Sequence, residues 1–512
     1  MKSRVFAIAI AAIMLASLAL KHAIQAPSNK ASSAPVAIHS TLPSEAIAKM
    51  RLNSTHRHRE WVNVPLGSAG VRAFIVYPER SDNAPVVMVT ATRQGASDWI
   101  RAVADQVAAE GFIAVVPDVL SGLGPFGGDT NSFATPEAVA AALDRLGPGE
   151  IARRTNAVRD FALSLPAADK KTATLDFNAS DSNIQAAVEK PMAGEPTATF
   201  KLTPEAWPQA VAFLTRQTGN QPVAGANPNL PEDHSAHIMM AMGQTPDVKK
   251  GGGGGRGYPQ GKLPDLPAGL FNAHSILTSS KLRKEFVDIP LGSTKLHTWV
   301  EYPAGEGKAP VVIVMQHGPG MDDWQRAVAD QLAEQGFIAI APDLHSGLGP
   351  NGGNYDSFQG TDEVMRAIAR ITPDDMQARY KAARDYGLKL PRSNGKSASI
   401  GFCMGGGNSF RFAGEVPELN AAVVYYGATP SKEIMAKIKA PVLAFYGEDD
   451  ARVTAANEPT IAAMKELGKS FESHVYPHAT HGFLEYQDLA GNPFATSDSW
   501  ARTIAFLKGH TR

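Results

Sequence analysis

Ile400-Gly401-Phe402-Cys403-Met404-Gly405-Gly406-Gly407 is the stretch on which the reading of the fold turns. Ahead of the cysteine, Ala398 to Phe402 is an apolar run of strand length, and a glycine-rich entry to a helical segment follows. A Gly-x-Cys-x-Gly pattern between a strand and a helix makes a sharp turn, because a side chain two residues to either side of the cysteine would collide with neighbouring backbone. The turn lifts Sγ above the sheet and beside a helix N-terminus, whose partial positive charge favours thiolate. A structural cysteine on a glycine turn is the plainer alternative, and the flanking pattern disfavours it.

Working outward, short apolar runs alternate with helical patterns. Val311 to Met315, Phe337 to Ala341, Ala398 to Phe402, Ala421 to Tyr426, Val442 to Tyr446 and His474 to Tyr476 read as strands. Asp323 to Gln335, Asp374 to Leu390, Thr460 to Leu467 and Ser499 to Lys508 read as helices, with Gly336 and Gly468 as stops. Strands that are apolar throughout belong in a sheet covered on both faces. Alternating β and α units predict an α/β fold with a mainly parallel, doubly wound sheet.

Chain order then tests the cysteine. A strand from Pro441 to Tyr446 leads into Gly447-Glu448-Asp449-Asp450-Ala451-Arg452-Val453, and later comes Pro477-His478-Ala479-Thr480-His481-Gly482-Phe483. Nucleophile, acid, histidine is the order of an α/β-hydrolase triad. A carboxylate at a strand end can orient an imidazole, and the imidazole can serve Sγ as base. Each motif alone is weak, since loop acids and histidines are mostly solvated; their order is the stronger signal.

Residues 284 to 510 resemble the dienelactone hydrolase family, on GFCMGG, AVVYYG (Ala422 to Gly427), YGEDDARV and HATHGF. Members carry a Cys-Asp-His triad on a compact α/β-hydrolase fold. The resemblance implies Cys403 as nucleophile, His481 (rather than His478) as base, and Asp450 as acid, with Asp449 the second choice. It also implies an oxyanion hole at the backbone N–H groups of Met404 and Gly318. Fixed donors of that kind need no reorganisation as the oxyanion forms.

Two departures bear on the substrate. Many members place a glutamate on the loop that here reads Gln316-His317-Gly318-Pro319-Gly320, so His317 stands in its position. As a cation His317 could help form the thiolate; otherwise it lines the pocket. Members acting on anionic dienelactone place an arginine four residues after the histidine, where this chain has Glu485. A carboxylate there repels a carboxylate substrate, so neutral esters are expected to outrun anionic lactones.

The chain also repeats itself. Arg59-Glu60-Trp61-Val62-Asn63-Val64-Pro65-Leu66-Gly67-Ser68 matches Lys284-Glu285-Phe286-Val287-Asp288-Ile289-Pro290-Leu291-Gly292-Ser293, an offset of 225 that holds through GFIAVVPD and GFIAIAPD. A repeat this long is a duplicated domain and not a solenoid unit. In the first copy Asn178 replaces the cysteine, the elbow glycines are gone, Thr92 and Arg93 replace His317 and Gly318, and the acid and histidine segments are missing. The first copy therefore reads as a truncated, non-catalytic α/β-hydrolase-like domain, with Ser180 a poor substitute nucleophile. Losing strands should expose a sheet edge, so this copy is expected to pack on the catalytic domain or pair between chains.

Composition bounds the rest. The chain has 512 residues, 49 basic and 50 acidic, for a formal charge of -1. This argues against a nucleic-acid binder. One cysteine excludes an intramolecular disulfide and any multi-cysteine metal site. Lys2 and Arg4 precede an apolar run from Val5 to Leu20, followed by small residues at Ala23 and Ala26, the order of a signal peptide. The predicted organisation is a signal peptide at 1–26, a tether at 27–58, the degenerate copy at 59–217, a Gly/Pro-rich linker at 218–280 and the catalytic copy at 281–512. The protein is expected to be exported, periplasmic or secreted, with no membrane association beyond the signal. In the linker, His234, His237, Met239, Met240 and Met242 are weak candidates for a Cu(I) site. No cofactor is expected, and the expected partner is a small-molecule ester or lactone. The rival from another class is a non-catalytic binding or scaffold protein with a vestigial site.

Overall fold

Strands whose residues are buried on both faces form the middle of two sheets, each flanked by helices. The architecture comes from a computed structural model that describes residues 42–67, 69–91, 93–178, 183–188, 197–201, 206–220, 266–270, 272–292, 294–487 and 492–512. The predicted signal peptide and the His234–Met242 cluster lie outside the described residues. Among the described residues no helix is long and apolar enough to cross a membrane. From His39 onward the chain is one compact unit.

The first sheet holds β1 (Arg59–Leu66), β2 (Ala69–Val76), β3 (Ala84–Ala91), β4 (Ile113–Asp118), β5 (Ala168–Asn178), β6 (Asn183–Val188) and β7 (Thr197–Lys201), in the order β1-β2-β4-β3-β5-β6-β7. The second holds β8 (Lys284–Leu291), β9 (Thr294–Glu301), β10 (Ala309–Met315), β11 (Ile338–Pro342), β12 (Ser393–Phe402), β13 (Ala421–Tyr425), β14 (Val442–Gly447) and β15 (Phe471–Tyr476), in the order β15-β14-β13-β12-β10-β11-β9-β8. Each of β1 to β5 begins 225 positions before its counterpart among β8 to β12. The duplication is thus a duplication of fold.

The copies part after β5. In the second, β10 to β15 pair in parallel through helical crossovers. In the first, β5 runs straight into a hairpin: β6 pairs antiparallel with β5, with Asn178 opposite Asn183, and β7 pairs antiparallel with β6. A mainly parallel sheet therefore holds for the second copy alone, since a chain too short for crossover helices can extend a sheet only by tight antiparallel turns. The edge expected beside β5 is filled by this hairpin, and Ala206–Thr218 packs over it with Trp207 buried.

Two boundaries also differ. The tether ends in a helix, Glu45–Ser54, that buries Ala48 and Leu52 in the first copy's core. Arg51 within it and Thr55 and Arg57 after it converge on the buried carboxylate of Asp105, which Thr55 Oγ1 reaches at 2.6 Å. The linker ends inside the second copy: Ala268 is fully buried, its carbonyl accepts from Trp324 Nε1 at 2.9 Å, and a helix at Ala273–Ser279 follows.

The first copy lies against the second. Arg101, fully buried, donates to Asp362, and Asn53 Oδ1 accepts from Asp362 N–H at 3.1 Å. Arg72 donates to the Arg366 carbonyl at 3.1 Å, and Ala451 N–H donates to the Arg80 carbonyl at 3.0 Å. These contacts carry the front of the first copy to the carboxyl ends of the second copy's strands.

Candidate active site

Cys403 follows the last residue of β12 and caps the helix Met404–Glu415, with φ of 54° and ψ of -118°. A non-glycine residue with that backbone is strained, and strain of this kind marks functional turns. The glycines make room for it. A Cβ on Gly401 would lie 1.9 Å from the Gly405 carbonyl oxygen, and one on Gly405 would lie 2.1 Å from that of Met315. Met315 and Gly401 are register partners on the adjacent parallel strands β10 and β12, and Gly318 and Met404 each follow that pair by three residues. Met404 opens its helix, so its N–H has no acceptor within the helix.

Asp450 follows β14 and His481 follows β15. His481 Nδ1 lies 2.5 Å from Asp450 Oδ2, and both residues are buried. His481 Nε2 and Cys403 Sγ lie within 4.8 Å of each other. The structure thus brings together the three residues the motifs select. The second choices fall away: His478 is exposed and points at Glu448, while Asp449 bonds neither histidine.

The residue that sequence reading missed is His58, four residues beyond the Glu45–Ser54 helix. Its Nδ1 lies 3.7 Å from Cys403 Sγ and 3.0 Å from His481 Nε2. The carbonyl of His58 accepts from Tyr77 N–H at 2.9 Å. Glu60, two residues on, receives Arg452 in a fork at 2.7 and 3.1 Å and the Tyr77 hydroxyl at 2.9 Å. Glu60 Oε2 stands 3.9 Å from His58 Nε2. The nearest sequence signal is the cluster His56, His58, Glu60, whose second-copy positions, Lys281, Arg283 and Glu285, carry no histidine.

Charges in the site oppose its burial. Burial alone would push the Cys403 thiol up, yet His481 and His58 hold it well below the usual thiol range. Burial alone would lower His481, yet the Asp450 carboxylate and the Cys403 sulfur push it up to about 10. Asp450, raised by burial, is pulled down overall by His481 and then His58. The favoured pair is a thiolate beside an imidazolium.

His317 occupies the loop after β10, buried, with Nδ1 3.1 Å from Glu485 Oε2 and Nε2 3.1 Å from Asp322 Oδ2. Burial works against its charge, but the two carboxylates hold its pKa well above the usual imidazole range. Both ring nitrogens are committed, so neither is left to bond Sγ. In the first copy the corresponding chemistry is gone: Arg93, in the place of Gly318, pairs with Asp144 at the surface, and β5 continues where an elbow would turn. Thr92 and Ser180 lie outside the described residues.

The model of the dienelactone hydrolase family matches residues 71–175 and 296–511, well over half of the chain and segments of both copies. The chain belongs to the dienelactone hydrolase family. It is accordingly a hydrolase of ester or lactone bonds. Among relatives of this chain, a carboxymethylenebutenolidase of Pseudomonas sp. (strain P51) is 30% identical over 224 residues, covering 42% of the chain and 91% of the relative. Protein usf of Aquifex pyrophilus is 29% identical over 234 residues, covering 44% and 97%. The crystal structure of a dienelactone hydrolase from Anabaena variabilis aligns with 46% of the chain and all of its own length, at 22% identity and a TM-score of 0.37. Each relative spans about one copy's length of this chain.

Proposed function

We propose that the second copy hydrolyses carboxylic esters or lactones through a Cys403-His481-Asp450 triad and a thioester intermediate. The observation that carries this is a single cysteine held in a strained elbow with an Asp450-bound imidazole within 4.8 Å of its sulfur. Sγ attacks the carbonyl carbon, and the C–S bond forms as the carbonyl electron pair moves to oxygen. The N–H groups of Met404 and Gly318 face that oxyanion. Collapse breaks the C–O bond, and the leaving alkoxide takes the proton from His481 Nε2. Neutral His481 then draws a proton from water, which attacks the thioester; the acid product leaves and thiolate and imidazolium are restored. Asp450 fixes the tautomer throughout by accepting from Nδ1.

Glu485 and Asp322 outnumber the one cation between them, His317, which supports neutral substrates over anionic lactones. The lysine- and arginine-led apolar run near the N-terminus supports export to the periplasm or medium. The test is p-nitrophenyl acetate hydrolysis by wild type and Cys403→Ala. Activity is expected in the first and loss of at least a hundredfold in the second; equal rates overturn the mechanism.

A further inference from the structure

We propose that Cys403 Sγ, His58 Nδ1 and His481 Nε2 form a three-ligand site for a zinc ion, and that zinc held there silences the hydrolase. The silencing rests on the function proposed above; the metal site stands on its own geometry.

A tetrahedral zinc with Zn–S of about 2.3 Å and Zn–N of about 2.0–2.1 Å sets its sulfur about 3.6 Å from each nitrogen, and the nitrogens about 3.3 Å apart. The observed separations are 3.7 Å from Sγ to His58 Nδ1 and 3.0 Å between the imidazole nitrogens, and all three atoms lie within 4.8 Å of one another. Thiolate with two imidazoles is a ligand set that suits zinc.

The surroundings match as well. Metal-bound imidazoles usually present their far nitrogen to a carboxylate, which fixes the tautomer and strengthens the ligand. Here both do: His481 Nδ1 bonds Asp450, and His58 Nε2 faces Glu60 at 3.9 Å. That Nε2 is buried and has no hydrogen-bond partner among the described residues, so it has no competing claim on its proton. The Glu60 carboxylate is itself anchored by the fork of Arg452.

Three protein ligands leave one tetrahedral position for water, so no further residue has to move in. On binding, zinc takes the lone pairs of thiolate and both imidazole nitrogens, and the proton shared between the imidazoles leaves to solvent. The nucleophile and the base are then both tied up. The site is divided along the chain, since His58 ends the tether and is held on the degenerate copy by the Tyr77 N–H. Arg283 stands at the matching position of the second copy, so the catalytic copy alone supplies only two ligands. This gives the degenerate copy a task that needs no triad of its own.

Because the chain has one cysteine, any thiol readout reports on Cys403. The full chain, stripped with a chelator, is titrated with zinc chloride by calorimetry, and alkylation by iodoacetamide is followed by mass. One zinc per chain is expected, alkylation is suppressed at saturation, and chelator restores it. Cobalt(II) in place of zinc should give a thiolate-to-metal charge-transfer band. His58→Ala should lose binding and protection. Glu60→Gln, a milder change, should weaken affinity about 10–100-fold. His317→Gln should bind zinc like wild type, because the site does not use it. Zinc uptake that leaves alkylation untouched, or protection that persists in His58→Ala, overturns the proposal. A wild type that hydrolyses ester but takes up no zinc at its thiol overturns the metal site and leaves the hydrolase intact. A protein that binds zinc but hydrolyses no ester overturns the hydrolase and the silencing with it.

Discussion

His58 Nδ1 lies 3.0 Å from His481 Nε2, although 423 residues of chain separate them. A contact of that length between two imidazole nitrogens holds one proton, donated by one ring and accepted by the other. Asp450 already takes the N–H on the far side of His481. The charge that balances the Cys403 thiolate sits on His481, which Asp450 and the sulfur hold up against burial, and Sγ sits 3.7 Å from the same His58 nitrogen.

The first prediction concerns that thiolate. Iodoacetamide should alkylate Cys403 along a pH curve whose midpoint lies well below the usual thiol range, because His481 and then His58 overcome the effect of burial. Replacing His481 with alanine removes the larger of those charges while burial remains, so the midpoint should move up. His58→Ala should move it up by less. The rate constants read by mass spectrometry decide the matter; a wild-type midpoint near 9, or one unmoved by His481→Ala, contradicts the ion pair.

A second prediction concerns substrate charge. The cluster of Asp322, His317 and Glu485 keeps one uncompensated negative charge, with Glu485 buried beside the loop after β10. Wild type should show a higher kcat/KM for p-nitrophenyl acetate than for an anionic lactone. Glu485→Gln should narrow that ratio by about tenfold, the size of one charge contact at the effective dielectric of a partly buried site. A wild type that prefers the anionic lactone refutes it.

The third prediction tests how the copies hold together. Arg101 and Asp362 form a buried pair across their contact, and Arg366 adds a second cation at 3.1 Å. Removing one partner strands the other, so Asp362→Ala should lower stability by about 3–5 kcal/mol in urea denaturation at neutral pH. Although burial raises its pKa, Arg101 and Arg366 hold Asp362 below the usual carboxylate range. A depressed carboxylate contributes above its unfolded pKa, about 3.9, and loses that contribution as pH falls through its folded value. The gap between wild type and variant should therefore shrink in acid. A neutral-pH gap below about 1 kcal/mol is inconsistent with a buried pair of this kind.

What the sequence makes legible follows from how local each signal is. Cys403, Asp450 and His481 each follow a strand and carry their own short motif, so chain order suffices to group them. Strands β1 to β5 and β8 to β12 are legible because one offset aligns them. His58 is not, since only docking of the first copy brings it to Cys403, and no residue near it signals a partner in the second copy. The β6–β7 hairpin is hidden for a related reason: missing crossover segments say that parallel strands are lost, but not what fills the edge. The role of His317 is open in sequence because a histidine can donate to sulfur or to carboxylate; Asp322, five residues on, and Glu485, distant in the chain, take both nitrogens.

The last prediction separates two neighbouring acids. Asp450 Oδ2 lies 2.5 Å from His481 Nδ1, whereas Asp449 bonds the Ala479 carbonyl through its own N–H and reaches no imidazole. Burial and then the Glu448 charge push Asp449 up to about 6, and His478 offsets only part of that rise. Asp450→Asn should leave His481 able to hold the wrong tautomer, with its N–H on Nε2 and its lone pair toward the amide. The loss of general acid–base action is then about 10²–10⁴-fold in kcat. Asp449→Asn should keep kcat within about threefold of wild type, since it removes a charge that the reaction does not use. Rates measured on p-nitrophenyl acetate at neutral pH compare the two directly. Equal losses in both variants would mean that the two carboxylates act together; a loss confined to Asp449→Asn would move the acid of the triad one residue back.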